Sequence, residues 1–183
     1  VLVNAVGNGV GKMQTEAKNI ELKGNSDLKL QSTLIKKASE GDAAAKAEIA
    51  LPVYIFNIDG QDVPVVPCYG AGLWGPIWGY LAFEGDMNTI EGAVFDHKGE
   101  TPGLGAEIAT NWFRNNFTGK KIYNAEGEFT SVKVVKGGAA EDDINGVDAI
   151  SGGTITSQAL EKAIKSWLEA YVPYFETLKA VEE

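Results

Sequence analysis

The chain has 183 residues, 44% of them hydrophobic, and its 25 Asp and Glu outnumber its 16 Lys and Arg to give a net charge of −9. So acidic a chain lacks the basic stripes that bind a phosphate backbone or an anionic membrane surface, and we expect no nucleic-acid partner. One Cys excludes an intramolecular disulfide, and one Cys with one His does not make a typical zinc site, so we expect no metal. These numbers predict a globular domain with a sizeable core.

The first fifty residues predict helices and linker without visible chemistry. Residues 25–27 (Asn-Ser-Asp) can cap a helix, and residues 43–50 are Ala-rich and helix-prone. The apolar residues of the first helix are Leu28, Leu30, Leu34 and Ile35. The Gly-rich residues 7–11 lack a preceding strand and carry little meaning. We therefore divide the chain into an N-terminal segment, residues 1–50, and a domain, residues 51–183.

Alternating apolar residues then predict an antiparallel meander. The predicted strands are residues 52–58, 63–66, 77–83 and 89–95. Asp59-Gly60 is a hairpin signal, and residues 84–86 provide the next turn. Pro64 and Pro67 favour an edge position for the second strand, because proline cannot donate to a sheet ladder.

A turn, a helix and a further strand follow the meander. Residues 101–105 combine Pro and Gly as turns do. The helix is predicted over residues 105–115. Its inward-facing residues are predicted to be Ile108, Trp112 and Phe113. Residues 129–135 alternate as a strand, and residues 137–146 form a loop rich in Gly, Ala and acidic residues.

The longest helical pattern covers residues 157–178. Its apolar residues recur at helical spacing: Leu160, Ala163, Ile164, Trp167, Leu168, Tyr171, Phe175 and Leu178. Pro173 is expected to kink this helix or to end it early. The partly segregated strands and helices predict an α+β fold, a twisted antiparallel sheet packed with helices.

Two residues with reactive side chains have ordinary explanations. Cys68 follows Pro67 in an apolar run, which favours a buried structural thiol over a nucleophile. His97 lies in a polar, turn-like stretch, where a surface or hydrogen-bonded His is expected. No nucleophile-elbow motif accompanies the His, so a hydrolase triad is not indicated.

Residues 148–157 (Asp-Ala-Ile-Ser-Gly-Gly-Thr-Ile-Thr-Ser) lead directly into the last helix. Such a turn is commonly a plain N-cap, but free amides and a positive dipole end also suit a phosphate. Two features favour the phosphate. The glycine pair allows close approach of a ligand, and a cap needs one hydroxyl where the stretch supplies four: Ser151, Thr154, Thr156 and Ser157.

The pattern Asp148-x-x-Ser151-Gly152-Gly153-Thr154 resembles the flavinylation motif of FMN-binding domains, Asp-x-x-Ser/Thr-Gly-Ala-Thr. The resemblance implies that a separate flavin transferase, acting on FAD, esterifies the Thr154 hydroxyl with the phosphate of FMN. The chain departs from the motif at Gly153, where the family usually has Ala. Without the resemblance, the pattern does not distinguish Thr154 from Thr156 as the acceptor.

Two further stretches resemble the C-type subunits of the Na⁺-translocating NADH:quinone reductase. They are residues 99–107 (Gly-Glu-Thr-Pro-Gly-Leu-Gly-Ala-Glu) and residues 70–80 (Gly-Ala-Gly-Leu-Trp-Gly-Pro-Ile-Trp-Gly-Tyr). The resemblance implies an electron-transfer flavoprotein within a Na⁺-pumping complex of the bacterial inner membrane. The resemblance also implies a membrane helix upstream of residue 1, followed by a soluble domain on the periplasmic side. Its partners would be the other subunits of the complex and the flavin transferase. The G-type component of the Rnf electron-transport complex shares much of the first stretch and remains an alternative, as does a non-redox binding or scaffold domain.

Together the motifs predict the residues of the flavin site. They are Asp148, Ser151, Gly152, Gly153, Thr154, Thr156, Thr101, Gly103, Leu104, Gly105, Trp74 and Lys136. Leu104 and Trp74 would offer apolar faces to the isoalloxazine ring, and Thr101 with nearby amides would bind its edge; for Trp74 a core or interface position is the alternative. Lys136 would place a cation near the ring or phosphate, or is a solvated strand end. Asp148 would help coordinate Mg²⁺ for the transferase, or hold the turn as an Asx residue.

Overall fold

The computed structural model describes residues 2–3 and 25–179. Its centre is a four-stranded antiparallel sheet in which β3 (Tyr54–Ile58), β4 (Gln61–Ala71), β5 (Pro76–Phe83) and β6 (Ile90–His97) follow one another as neighbours. A small antiparallel pair joins β1 (Leu2–Val3) to β2 (Leu51–Pro52). The predicted meander and α+β class are confirmed. The predictions for residues 4–24 lie outside the described residues.

Strand β4 lies inside the sheet, so its predicted edge position is wrong. Pro64 pairs with Ile55 of β3, whereas Pro67 pairs with Tyr80 of β5. The two partner strands overlap along β4 only at Val65, so each proline has a paired neighbour on one side. The missing N–H of each can therefore face the unpaired side of the strand.

Two helices precede the sheet, α1 (Asn25–Ser39) and α2 (Ala43–Glu48), as predicted. Asp42 caps α2 by accepting a hydrogen bond from the N–H of Ala45. Leu28, Leu34 and Ile35 of α1 are buried in the same core as the sheet. The division of the chain at residue 50 stays a prediction.

The last helix, α4 (Thr154–Lys179), begins three residues earlier than predicted and crosses the sheet. Trp167 Nε1 donates to the carbonyl of Tyr69 at 3.0 Å, and the Tyr171 hydroxyl donates to the carbonyl of Pro52 at 2.6 Å. Pro173 lies inside α4, so the expectation that it ends the helix early is wrong. The expectation that it kinks the helix stays a prediction. Phe175, one turn from the end, is fully buried against Phe83, and this packing supports the helix beyond the proline.

The predicted helix at 105–115 is instead two short pieces. A 3-10 helix, Gly105–Ala109, is followed by α3 (Asn111–Asn115), and Thr110 between them has an extended backbone and caps α3. Ile108 and Phe113 are fully buried as predicted, but Trp112 is 55% exposed, so its inward placement is wrong. The break at Thr110 changes the helical register, and the spacing that predicted Trp112 does not continue through it.

The strand predicted at 129–135 is confined to β7 (Lys133–Val135). The N–H groups of Thr130 and Ser131 both donate to the carbonyl of Ile122, and Ser131 has a φ of 61°. This irregularity delays the strand, which then pairs in parallel with β8 (Gly146–Asp148) across the predicted loop. The pair leads the chain into the stretch before α4.

Cys68 is fully buried in β4, and its burial raises the pKa of the thiol to about 12, as expected of a structural Cys. Within residues 2–3 and 25–179, no helix combines the length and the apolar character that crossing a bilayer requires.

Candidate functional site

A cavity of about 150 Å³ lies beside the N-terminus of α4. Three segments that are distant in sequence form its walls. The lining residues are Leu73, Trp74, Glu100, Thr101, Leu104, Gly105, Gly152, Gly153, Thr154, Ile155 and Thr156. The structure thus brings together most of the predicted site residues, and it does so across all three motif stretches.

Thr154 is the first residue of α4 and is half-buried in the cavity wall. The turn before it is held by Ser157, whose hydroxyl donates to the carbonyl of Gly153 at 2.9 Å and accepts from the N–H of Ile150 at 3.2 Å. The N–H of Gly153 also donates to the carbonyl of Ile150. The free amides of the first helical turn therefore start from a fixed loop, which suits an anion.

The four hydroxyls of the motif have different partners. Those of Thr156 and Ser157 are buried and donate to Glu100 and Gly153, respectively. Ser151 is exposed and does not line the cavity. Thr154 lines the cavity, and its hydroxyl makes no hydrogen bond to another described residue. Among these hydroxyls, that of Thr154 alone is both at the cavity and uncommitted within the described part of the chain.

Leu104 rests on the glycine pair of the motif. A Cβ at Gly152, where φ is +75°, would lie 2.7 Å from Leu104 Cδ2, and a Cβ at Gly153 would lie 2.9 Å from the Leu104 carbonyl oxygen. The absence of side chains thus lets the turn at residues 101–105 sit directly on the motif. Gly153, where the family motif usually has Ala, leaves room for the Leu104 carbonyl to lie this close to the motif.

Apolar side chains border the cavity and face solvent. Trp74 is 68% exposed and Leu104 is 43% exposed. The alternative that Trp74 is a core residue is therefore wrong. Leu73 and Ile155, which also line the cavity, are similarly exposed and extend the apolar border.

Sequence reasoning missed Glu100, the one charged residue among those that line the cavity. It is 4% exposed; its Oε1 accepts a hydrogen bond from the N–H of Trp74 at 2.8 Å, and its Oε2 accepts one from the Thr156 hydroxyl at 2.5 Å. Its own N–H donates to Nδ1 of His97 at 3.2 Å, which confirms His97 as a hydrogen-bonded residue. The sequence feature that could have indicated Glu100 is its position as a carboxylate within the Gly- and Pro-containing stretch at residues 99–105.

Four predicted residues lie outside the cavity lining: Ser151, Gly103, Asp148 and Lys136. Asp148 Oδ1 accepts from the N–H of Ala139 at 2.8 Å, so this Asp ties the end of β8 to the preceding loop. Lys136 is exposed just after β7, as a solvated strand end would be. Gly103, with a φ of +74°, forms the turn, and its N–H donates to Glu107. In the described ranges, no three His, Cys, Asp or Glu residues group to hold a metal ion.

Comparison with known proteins shows the family to which the chain belongs. The model of the FMN-binding domain family matches residues 72–169. The C-type subunit of the Na(+)-translocating NADH-quinone reductase from Vibrio alginolyticus is 33% identical over 144 residues, and its counterpart from Neisseria meningitidis serogroup B is 35% identical over 156 residues. The chain belongs to the FMN-binding domain family, among the C-type subunits of this reductase.

The two relatives are longer than the chain. The matched regions cover 79% and 82% of the chain but only 56% and 59% of the Vibrio and Neisseria proteins, so the chain spans a little over half of their length. Solved structures of the family share the fold. The C-type subunit from Parabacteroides distasonis is 41% identical with a TM-score of 0.70, covering 95% of this chain and 75% of that one. NqrC from Shewanella oneidensis is 31% identical with a TM-score of 0.70, covering 98% and 82%.

Proposed function

We propose that the chain is an electron-transferring flavoprotein part of a Na⁺-translocating NADH:quinone reductase and carries FMN through a phosphoester bond to Thr154. The observation that carries the proposal is the Thr154 hydroxyl, which lies in the cavity wall at the start of α4 and makes no hydrogen bond to another described residue. Thr156 is the poorer acceptor, because its buried hydroxyl already donates to Glu100. This distinction rests on the structure as well as on the family motif.

The attachment is a substitution at phosphorus. The Thr154 oxygen forms a bond to the flavin-side phosphorus of FAD, the pyrophosphate bond breaks, AMP leaves, and the hydroxyl proton passes to the transferase or to solvent. The phosphodiester retains one negative charge. At the N-terminus of α4 this charge is stabilised by about 0.3–1 kcal/mol if exposed, and by up to about 2 kcal/mol if partly buried.

The cavity fits part of the flavin. Its volume of about 150 Å³ is below the roughly 300–1,000 Å³ of pockets that enclose a small molecule. The ring would therefore lie against the exposed faces of Leu104 and Trp74, with Thr101 at its edge. When bound, FMN supplies reversible electron transfer, and the chain's residues bind, orient and partly shield it. A ring with an open edge suits exchange of electrons with a neighbouring subunit.

The resemblance extends the proposal to partners and location. We expect the other subunits of the redox complex as partners and a separate flavin transferase for maturation, with the domain on the periplasmic side of the bacterial inner membrane. Asp148 would act for the transferase or keep the loop hydrogen bond that it makes to Ala139. Lys136, outside the cavity, would at most contribute long-range charge. The C-type relatives favour the quinone reductase over the Rnf complex.

Peptide mass spectrometry tests the proposal. The chain is co-expressed with a flavin transferase as wild type, Thr154→Ala and Thr154→Ser. We expect an FMN adduct on the peptide containing Thr154, its loss in Thr154→Ala, and its at least partial retention in Thr154→Ser, which keeps the hydroxyl. An unmodified wild-type peptide, with a transferase that modifies a known substrate, would contradict the proposal and favour the scaffold alternative.

A further inference from the structure

We propose that Glu100 is a positioning residue of the flavin site, an inference that rests on the proposed function. Its buried carboxylate fixes the walls of the cavity relative to one another and places a negative charge beside the proposed position of the flavin ring. Residues 73–74, 100–105 and 152–156 form these walls, and Glu100 makes a side-chain hydrogen bond to each of the other two.

Each carboxylate oxygen has one donor. Oε1 accepts from the N–H of Trp74 at 2.8 Å and Oε2 accepts from the hydroxyl of Thr156 at 2.5 Å. Both oxygens of the carboxylate therefore act as acceptors. One donor is the backbone N–H of Trp74, whose exposed side chain borders the cavity, and the other is the hydroxyl of Thr156, two residues after Thr154. The carboxylate therefore fixes the wall that would face the flavin ring relative to the proposed attachment residue.

Two glycines make room for this carboxylate. A Cβ at Gly72 would lie 2.5 Å from Glu100 Oε1, and a Cβ at Gly105 would lie 2.4 Å from both Oε2 and Thr156 Oγ1. Both separations are shorter than any side chain tolerates, so alanine at either position would displace the carboxylate. Glycine at both positions therefore accommodates a carboxylate that itself lies in the wall of the flavin cavity.

The burial of Glu100 is not explained by an ion pair. In the described part of the chain, no Lys, Arg or His nitrogen lies within ion-pair distance of it. A buried carboxylate that has only neutral donors costs free energy compared with an apolar residue of similar size. Because this buried carboxylate lies in the wall of the proposed flavin cavity, we infer that it serves the flavin rather than the stability of the fold. A charge close to a flavin changes the flavin's redox properties.

The inference is tested with the chain as wild type, Glu100→Ala, Glu100→Gln and Glu161→Gln, each purified without flavin and then incubated with FAD and a purified flavin transferase. Glu161 is the matched control, because its carboxylate accepts a backbone N–H, that of Val134, away from the cavity. The measurements are the initial rate of flavin attachment, the flavin's midpoint potential, and amide hydrogen exchange at Trp74 in the unmodified chain. Thermal unfolding verifies that each variant folds.

We expect Glu100→Ala to slow attachment at least tenfold and to speed exchange at Trp74. Glu100→Gln should attach flavin at close to the wild-type rate, because its amide oxygen can accept from Trp74 while its NH₂ group donates to the Thr156 hydroxyl. Loss of the negative charge should raise the ratio of reduced to oxidised flavin at a fixed potential about tenfold, which is about 30 mV for a two-electron couple. Glu161→Gln should match wild type in all three measurements.

A folded Glu100→Ala chain with the wild-type attachment rate would overturn the inference, and so would a Glu100→Gln chain with the wild-type potential. If Glu100→Ala does not fold, the near-isosteric Glu100→Gln chain decides alone. A wild-type chain that accepts no flavin overturns the proposed function together with this inference. A flavinylated wild type beside unaffected variants overturns this inference only.

Discussion

The hydroxyl of Thr156 donates a 2.5 Å hydrogen bond to Oε2 of Glu100, 56 residues earlier in the chain, and both residues are buried. This bond joins the first turn of α4 to the turn that carries Leu104. Removing the donor leaves a buried carboxylate oxygen without its partner, and the two turns lose their direct link.

Thr156→Val should therefore lower the free energy of unfolding by about 1–3 kcal/mol, because a buried acceptor loses its donor. Urea denaturation of the unmodified chain measures the change. Thr118 is exposed, and Thr118→Val should stay within about 0.5 kcal/mol of wild type. Equal stability of Thr156→Val and wild type would show that the Thr156–Glu100 bond contributes nothing to the fold.

Gly105→Ala should crowd the same pair, since its Cβ would lie 2.4 Å from Glu100 Oε2 and from Thr156 Oγ1. We expect a loss of about 1–3 kcal/mol in stability and slower flavin attachment. At Gly85 a Cβ would meet open space, so Gly85→Ala should be neutral or slightly stabilising. Thermal unfolding and the attachment rate are compared for the two variants; indistinguishable results would contradict the close approach at Gly105.

Ser157→Ala should loosen the loop before Thr154. The buried N–H of Ile150 loses its acceptor and the carbonyl of Gly153 loses a donor, so we expect a destabilisation of about 1–3 kcal/mol. Amide hydrogen exchange at Ile150 should quicken. Ser166→Ala, on the same helix, is the control, because the Ser166 hydroxyl makes no hydrogen bond to any described residue; slow exchange at Ile150 in both variants would refute the assigned role of Ser157.

Tyr123→Phe should change how stability depends on acid. The Tyr123 hydroxyl donates to Glu176 Oε1 at 2.9 Å, and this hydrogen bond lowers the pKa of Glu176 below its ordinary value of 4.5. Because the folded-state pKa is depressed, the resulting stability is present above about pH 4.5 and is lost as the pH falls through the folded-state pKa.

The difference between wild type and Tyr123→Phe should thus be larger at pH 7 than at pH 3. Its pH-dependent part should stay below about 1 kcal/mol, because the Glu176 side chain is 54% exposed. Urea denaturation at the two pH values measures it. Tyr69→Phe is the control, because Tyr69 has no such carboxylate partner among the described residues, and its stability difference from wild type should be the same at both pH values. An equal difference at the two pH values in Tyr123→Phe as well would show that the hydrogen bond has no effect on the pKa of Glu176.

Local patterns predicted the parts of the fold that depend on local geometry. Alternation and the Asp59-Gly60 turn predicted the meander, and helical spacing predicted the buried stripe of α4. They did not predict that β7 pairs in parallel with β8, because alternation reports the faces of a strand and not its partner. The break at Thr110, a single capping residue, exposed Trp112 against its predicted position.

The candidate site could be predicted where a motif carries its own chemistry, and not where residues distant in sequence meet. The motif indicated Thr154 and the turn indicated Leu104, and both line the cavity. The bonds of Glu100 reach residues 26 and 56 positions away, and no local pattern reports such pairs. Likewise, the commitment of the Thr156 hydroxyl, which separates it from Thr154, became visible only in three dimensions.

The proposed attachment residue opens the helix that also fills the core. Thr154 is the first residue of α4, and on the same helix Trp167 and Tyr171 are buried and donate hydrogen bonds to backbone carbonyls of β4 and β2. Helices of this kind open only near the free energy of global unfolding. A cofactor fixed there has no hinged arm of its own. Its distance to another redox centre would therefore change through displacement of the whole domain as a rigid body.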